Sequence, residues 1–257
     1  MDRKLDPDVD RTVERFRNAP IVEALLDIRA ELPSTIDLDR LATIHQAVRN
    51  QYPIKRERGS WKFGFHVRQG IPEDPEKPVG DVDGFLFLSA DERKTVQVRL
   101  DGFTFNWLRP YDRWESFRDE AMRVWSLYIQ ATEPRRITRT ALRYINRIEI
   151  PVPLRDLKDY VTTLPELAPG LPESLDSFFM RLVLHEPQIE AQAILTEMTE
   201  PVRDGKILPL IFDIDVFNLS SSDANDEDIW LKLEQLRGFK NKIFLDSITE
   251  KTKELIR

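Results

Sequence analysis

A series of strand-like and helix-like segments occurs twice along the chain, and this repetition constrains the fold more than any other feature. At 22–32, apolar residues alternate with charged ones, which predicts a strand with one buried and one wet face. The same alternation returns at 137–150. Each of these two segments is therefore predicted to be the opening strand of a series.

Each series also closes on an amphipathic helical pattern with a tryptophan on its apolar side. Residues 112–131 carry Trp114 on that stripe, and residues 227–244 carry Trp230. A helix with one apolar stripe must bury it, and the apolar faces of the alternating strands are the surface available. Both closing helices are thus predicted to pack on a sheet.

A second helical pattern follows the opening strand of each series, at 38–50 and at 154–164. Further alternating segments then lead to the closing helix, and in the second series they fall at 177–185, 190–198 and 207–217. Both series can therefore be written as strand, helix, three to four strands, helix.

These patterns predict an α+β protein of duplicated β-α-β(3-4)-α halves, with an antiparallel sheet that carries helices on one face. The predicted outline is a TATA-binding-protein-like or helix-grip-like saddle. The first half spans 1–133 and the second spans 134–257, and the two are expected to form one continuous structural unit. The alternative is coincidence, because strands and helices recur at similar spacing in many α+β domains.

Charge and cysteine content narrow the class of protein and of partner. The chain has no cysteine, which excludes disulfides, thiolate catalysis and Cys-based zinc sites and favours the cytoplasm. The net charge of −7 makes nucleic acid an unfavoured partner, because nucleic-acid binders need a surplus of Lys and Arg. Residues 1–17 lack the apolar stretch of a signal peptide, and no apolar run predicts a membrane span. A cytoplasmic protein without a membrane partner is expected.

Arginine residues on one strand face are the strongest functional signal. Arg139, Arg143 and Arg147 alternate along 137–150, so they share a face. Arg29 and Arg99 lie on other predicted strands, at positions expected to face the same side. Guanidinium groups bind carboxylates and phosphates through forked hydrogen bonds. These five residues are therefore the predicted site for a protein partner or a small anionic ligand, and a homodimer stays open.

The alternative is a ladder in which each arginine simply faces an acidic residue across the sheet. Acidic residues are expected on the same face in roughly matching number: Asp27, Glu31, Asp101, Asp213 and Asp215. In that case the paired charges would only keep this face of the sheet in contact with water, and no unpaired arginine would remain to bind a ligand. The sequence leaves both interpretations open.

No catalytic or cofactor motif is recognisable. The only histidines, His45, His66 and His185, have no second metal ligand at helical spacing, and the glycines form no phosphate-binding loop. We therefore expect no cofactor and favour a non-enzymatic binding protein over an enzyme.

Two other functions stay as alternatives. In the first, a Mg²⁺-dependent nucleotide or phosphoester enzyme, Asp213 and Asp215 would hold the metal together with Glu23 or Asp27, and the arginines would clamp phosphate. The second is a nucleic-acid-binding protein, for which a steep salt dependence of affinity would be diagnostic.

Four stretches of the sequence resemble an uncharacterised, sporadically distributed prokaryotic protein family of about this chain's length. They are the N-terminal Asn-Ala-Pro-Ile-Val-Glu-Ala at 18–24, the central Arg-Tyr-Ile-Asn-Arg-Ile-Glu-Ile-Pro at 143–151, and the shorter blocks 213–217 and 241–244. The resemblance covers the whole chain. It implies no activity, cofactor or catalytic residue. The patchy distribution of the family implies a mobile-element gene, such as a defence or toxin–antitoxin component.

Overall fold

The computed structural model describes residues 16–61, 67–68, 71–72, 80–170, 177–222 and 226–257. Its strands are β1 (Ile21–Glu31), β2 (Ile54–Trp61), β3 (Val67–Arg68), β4 (Ile71–Pro72), β5 (Gly80–Leu88), β6 (Lys94–Arg99), β7 (Gly102–Leu108), β8 (Arg136–Pro151), β9 (Phe179–Glu186), β10 (Ala191–Thr199) and β11 (Ile207–Asn218). Its helices are α1 (Leu38–Val48), α2 (Trp114–Thr132), α3 (Asp226–Ser247) and α4 (Glu250–Ile256).

Nine of the described strands form one sheet in the order β2-β5-β6-β7-β1-β8-β11-β10-β9. Every neighbouring pair is antiparallel. The predicted α+β class with an antiparallel sheet is therefore confirmed. The two opening strands, β1 and β8, lie side by side at the centre, and the later strands of each half follow outward from them.

Strand alternation separates the two faces of the sheet. On β1, Ala24, Leu26 and Ile28 are fully buried, and the intervening Asp27 and Arg29 point to the other face. The same pattern continues through β8 and β11, so the buried residues of all three strands form one apolar surface. Because burial of apolar area is the main favourable term in folding, this pattern fixes which face the helices cover.

Aromatic contacts show that three helices pack on that apolar face. The Phe117 ring of α2 lies 5.1 Å from Phe105 on β7, and the Phe244 ring of α3 lies 6.4 Å from Phe212 on β11. The Phe87 ring of β5 lies 4.9 Å from the ring of His45 on α1. Helix α1 begins after Asp37, whose carboxylate accepts a hydrogen bond from the backbone N–H of Arg40 at 2.9 Å.

The prediction of a helix at 154–164 is wrong. This region contains only a single 3₁₀ turn, Leu157–Asp159, after which the chain is extended. Val161 pairs with Ile248, and the Thr162 N–H donates to the carbonyl oxygen of Ser247 at 3.0 Å. The β-branched residues 161–163 favour extended backbone, so pairing with the end of α3 outweighs a helical pattern.

Candidate functional site

The face of the sheet opposite the helices, called the open face below, carries the charged residues of the central strands. β1 places Asp27 and Arg29 there, and β8 places Arg139, Arg143 and Arg147. The register puts three further side chains on the same side. Asp213 and Asp215 of β11 lie opposite Ile145 and Arg143 of β8. Arg99 of β6 lies opposite Gly102 of β7, which in turn lies opposite Arg29. The sequence-based assignment of these side chains to one face therefore agrees with the strand pairing.

Four of the five predicted arginines line one cavity on the open face. This cavity has a volume of about 210 Å³, and its wall includes the side chains of Arg29, Arg99, Arg139 and Arg143. It will be called the arginine cavity. Its wall contains only two carboxylates, those of Asp27 and Asp215.

Arg99 and Asp27 form the floor of the arginine cavity. The Arg99 side chain is only 3% exposed, and its Nη2 donates to Asp27 Oδ1 at 2.8 Å. Its Nη1 donates to the Thr104 hydroxyl at 2.6 Å, and that hydroxyl donates to Asp27 Oδ1 at 2.7 Å. Burial raises the pKa of Asp27, but Arg99 and Thr104 outweigh it, so this pKa lies below its usual value. The floor is a fixed, fully hydrogen-bonded ion pair.

Arg139 is shared between two carboxylates. Its Nη1 donates to Asp27 Oδ2 at 2.9 Å, and its Nη2 reaches the two oxygens of Asp215 at 3.3 and 3.2 Å. Burial raises the pKa of Asp215 above its usual value despite the charges of Arg139 and Arg143, and the carboxylates of Asp213 and Asp27 act in the same direction. Asp215 is therefore the carboxylate of the cavity that protonates most readily.

The other two arginines stand at the rim. Arg29 donates to Asp27 at 3.2 Å and also bonds Asp101, and its side chain is 36% exposed. Arg143 makes a forked bond to Asp213, with distances of 2.8 and 2.5 Å, and is 45% exposed. Both guanidiniums thus keep exposed donor surface toward the solvent.

Arg147, the fifth predicted residue, does not line the arginine cavity. Its Nη2 donates to Glu200 at 2.5 Å, farther along β8. The predicted set therefore divides into four residues that converge and one that does not.

Two polar cavity residues were not singled out from the sequence. Thr104 bridges Arg99 and Asp27, and Gln97 accepts from Arg58 and donates to Asn106. Both are uncharged residues in alternating strands, so only knowledge of the register could have placed them beside the arginines. The alternation of β6 and β7 was the available signal.

The predicted carboxylates of a magnesium site are occupied by arginines. Both oxygens of Asp213 accept from Arg143, and both oxygens of Asp215 accept from Arg139. A divalent cation at this place would have to displace two guanidiniums. Across the described part of the chain, no group of three or more His, Asp or Glu side chains is arranged to hold a metal ion.

In the regions that the structure describes, no helix is both long enough and apolar enough to cross a membrane. No protein-family model matches the chain, and no curated protein matches its sequence. The open face and its cavity are therefore the features of the molecule that bear on its function.

Proposed function

We propose that this chain is a binding protein that takes a small anionic ligand in the arginine cavity. The observation that carries the proposal is the imbalance within the wall, where four guanidiniums converge and only Asp27 and Asp215 oppose them. The other two carboxylates, Asp101 and Asp213, lie outside this wall, where Asp101 pairs with Arg29 and Arg99 and Asp213 pairs with Arg143. An anion entering the cavity would therefore contact more guanidinium than carboxylate groups.

Preorganisation supports the same function. A flexible arginine loses side-chain entropy when it clamps a ligand, and this loss weakens binding. Here Arg99 and Arg139 are already held by Asp27, so a ligand would not have to order them. A ligand with two acceptor groups, such as a phosphate or dicarboxylate dianion, matches the forked geometry of guanidinium donors.

Titration with sulfate, inorganic phosphate and succinate tests this function, with isothermal calorimetry at low ionic strength and chloride as the reference anion. At least one dianion should bind saturably at one site per chain. The double variant Arg139→Gln/Arg143→Gln should weaken that binding at least tenfold, because two of the four donors are lost. Arg136→Gln is the matched control, since Arg136 pairs with exposed Glu31 outside the cavity.

The proposal fails if no dianion binds saturably, or if the double variant binds as well as the unmodified chain while its circular dichroism spectrum is unchanged. Mg²⁺ and Mn²⁺ are titrated in parallel. Saturable metal binding that Asp213→Asn removes would favour the enzyme alternative instead.

Asp215 gives the site a predicted pH dependence. Because the pKa of Asp215 is raised, its carboxylate is the first in the cavity to lose its charge as pH falls, and this releases Arg139. Sulfate does not titrate in the working range, so its affinity should rise several-fold toward acidic pH. Asp215→Asn should show the higher affinity at neutral pH and lose the dependence. Equal sulfate affinity in both proteins at every pH would contradict this role of Asp215.

A protein partner on the open face is the second candidate, and two exposed apolar side chains favour it. Phe179 and Val183 of β9 are 68% and 47% exposed, and β9 pairing puts them on the same face as the arginines. A partner that covers this face would bury both. Phe179→Ser and Arg143→Gln should then each weaken binding of a partner that is captured by the chain in a pull-down assay. A partner that binds both variants as well as the unmodified chain would exclude this surface.

We further propose that the halves 1–133 and 134–257 descend from one duplicated unit that forms a saddle. The strand order outward from β1 is β7, β6, β5, and outward from β8 it is β11, β10, β9, which supports this origin. Separate alignments of the two halves of related chains should place Trp114 on Trp230. Consistent placement of these residues on other positions would contradict the duplication.

A further inference from the structure

An apolar groove lies on the helix side of the sheet, in the second half. Its floor is formed by the outer strands and its wall by the C-terminal part of α3, and it encloses about 350 Å³. The apolar side chains that line it are Leu182, Leu184, Leu195, Phe239 and Ile243. Polar groups stand along the rim, among them Lys242 and Asp246, which pair with each other at 2.9 Å.

The corresponding place in the first half is filled by α1. Helix α1 packs against α2 and against β5, whereas the groove lies between α3 and β9. In the sheet order, β5 and β9 are each three strands away from the central pair, and α2 and α3 each follow the last strand of their half. The groove is therefore the counterpart of the seat of α1.

Strand register makes this correspondence specific to single residues. Leu26 of β1 faces Leu142 of β8 across the centre of the sheet. In the first half, the residues paired across successive strands from Leu26 outward are Phe105, Val96 and Phe87. In the second half, the residues paired outward from Leu142 are Val216, Ala193 and Leu184. Phe87 is fully buried beneath α1, whereas Leu184 is partly exposed in the groove.

The helix walls agree with the strands. When Trp114 is placed on Trp230, Arg123 falls on Phe239 and Ala131 falls on Ser247. Arg123 bonds Gln51 just after α1, and the Ala131 carbonyl oxygen accepts from Arg40 Nε at 2.7 Å. Phe239 and Ser247 both line the groove. The residues of α2 that contact α1 and its end thus correspond to residues of α3 that face the groove.

We infer that this groove binds an amphipathic helix of a protein partner. Helix α1 supplies the template for that helix, since it buries Leu41, Ile44 and Val48 from a single stripe. A partner helix would place three apolar side chains at this spacing against the groove floor and polar side chains beside the Lys242–Asp246 pair. This mode of recognition uses a helix in a hydrophobic groove.

The test uses a fluorescent peptide with the sequence of residues 37–49, which contains α1, as the probe helix. The peptide should bind saturably in a fluorescence anisotropy titration. A second peptide with Ser at the positions of Leu41, Ile44 and Val48 should bind at least tenfold more weakly, because its apolar stripe is gone.

Variants of the protein locate the binding site. Leu184→Glu on the floor and Phe239→Glu on the helix wall should each weaken peptide binding at least tenfold. Leu231→Glu is the matched control, since Leu231 is a 61% exposed residue of α3 that does not line the groove. Melting temperatures of all variants are measured alongside, and Phe239→Glu keeps the test valid if Leu184→Glu disturbs the sheet.

Four results would overturn the inference. The first is the absence of saturable peptide binding, and the second is binding that both groove variants leave intact, as displacement of α1 in the first half would give. The third is binding of decanoate but not of the peptide, which would make the groove a small-molecule site. A concentration-dependent dimer by light scattering that Leu184→Glu abolishes would assign the groove to a second copy of the chain and would likewise overturn it.

Discussion

In the residues that the structure describes, helix α1 covers the outer strands of the first half, whereas no helix covers the corresponding place in the second half. In the first half, a helix covers the outer strands and buries Phe87 completely. In the second half, one 3₁₀ turn and an extended segment replace that helix, and Leu184 borders a groove. The difference shows that one sheet can hold two peripheral arrangements when its central strands supply the common core.

The two halves also differ in the polarity of their cores. Val124 of α2 is fully buried, and its counterpart in α3 is Lys240, whose Nζ lies 3.9 Å above the ring of Tyr144. Burial lowers the pKa of Lys240 to about 7. Glu197 of β10 is fully buried, and neither carboxylate oxygen has a hydrogen-bond partner. The second half thus carries a fully buried carboxylate and a partly buried ammonium group where the first half has an apolar core, and both groups cost stability.

The largest expected effect is a difference in stability between substitutions in two corresponding strands, β5 and β9. Phe87→Ala should lower the free energy of unfolding by about 4 kcal/mol, because it leaves a cavity beneath α1. Leu184→Ala should lower it by about 1 kcal/mol, because the groove already exposes this side chain. Urea unfolding measures both. Similar losses for the two variants would mean that the groove is as tightly packed as the seat of α1.

The second effect concerns Glu197. Burial raises the pKa of Glu197 from 4.5 to about 8, so the unfolded chain releases this proton at lower pH than the folded chain. The free energy of unfolding should therefore fall as pH rises from about 4.5 to about 8. Glu197→Met should remove that slope and raise the free energy of unfolding at pH 7 by on the order of 3 kcal/mol.

Urea unfolding of the Glu197→Met protein at pH 5 and pH 8 checks this prediction. Glu149→Met is the control, since this glutamate is about half exposed on β8. A Glu197→Met protein with the same pH slope as the unmodified chain would show that Glu197 stays charged in the fold.

The third effect compares two caps of the same chemistry. Asp37 caps α1 in the first half, and Asp156 caps the 3₁₀ turn in the second half by accepting from the Lys158 N–H at 2.9 Å. Asp37→Ala should cost about 1 kcal/mol, because it frees the first turn of a packed helix. Asp156→Ala should cost only a few tenths, since a single turn contributes little. Thermal unfolding should rank the two variants in this order, and the reverse ranking would contradict it.

The smallest effect on stability concerns the two edges of the sheet. β2 carries four consecutive charged residues, 55–58, whereas β9 carries Leu182, Val183 and Leu184 at its middle. Charges on an edge strand discourage pairing with other chains. Val183→Lys should therefore reduce concentration-dependent association in light scattering and leave the melting temperature within a degree or two. Unchanged association would show that the β9 edge is already protected.

Alternating segments allowed most strands to be predicted from the sequence. In 22–32 and 137–150, one face must be apolar and the other wet, and the structure contains β1 and β8 there. The helical pattern at 154–164 failed because pairing of Val161 with Ile248 is a contact that no local pattern reveals. Glu197 gave no signal either, since nothing local distinguishes a buried carboxylate from a solvated one.

The arginine cavity was predictable in part. Alternation alone placed Arg139 and Arg143 on one face, and the structure brings both to the cavity. Arg147 follows the same alternation, but it lies farther along β8 from Arg29 and Arg99, and it pairs with Glu200 instead. Which arginines converge depends on the register between strands, and register is set by tertiary packing.

The position of β1 affects how the chain can fold as it is synthesised. β1 leaves the ribosome before both of its neighbours in the sheet, β7 and β8, and Leu142, which faces Leu26, follows more than a hundred positions later. Contacts between such distant positions form slowly. In the nascent first half β1 can pair with β7, but its other edge must stay unpaired until β8 has emerged, and this interval is when assistance from chaperones would matter most.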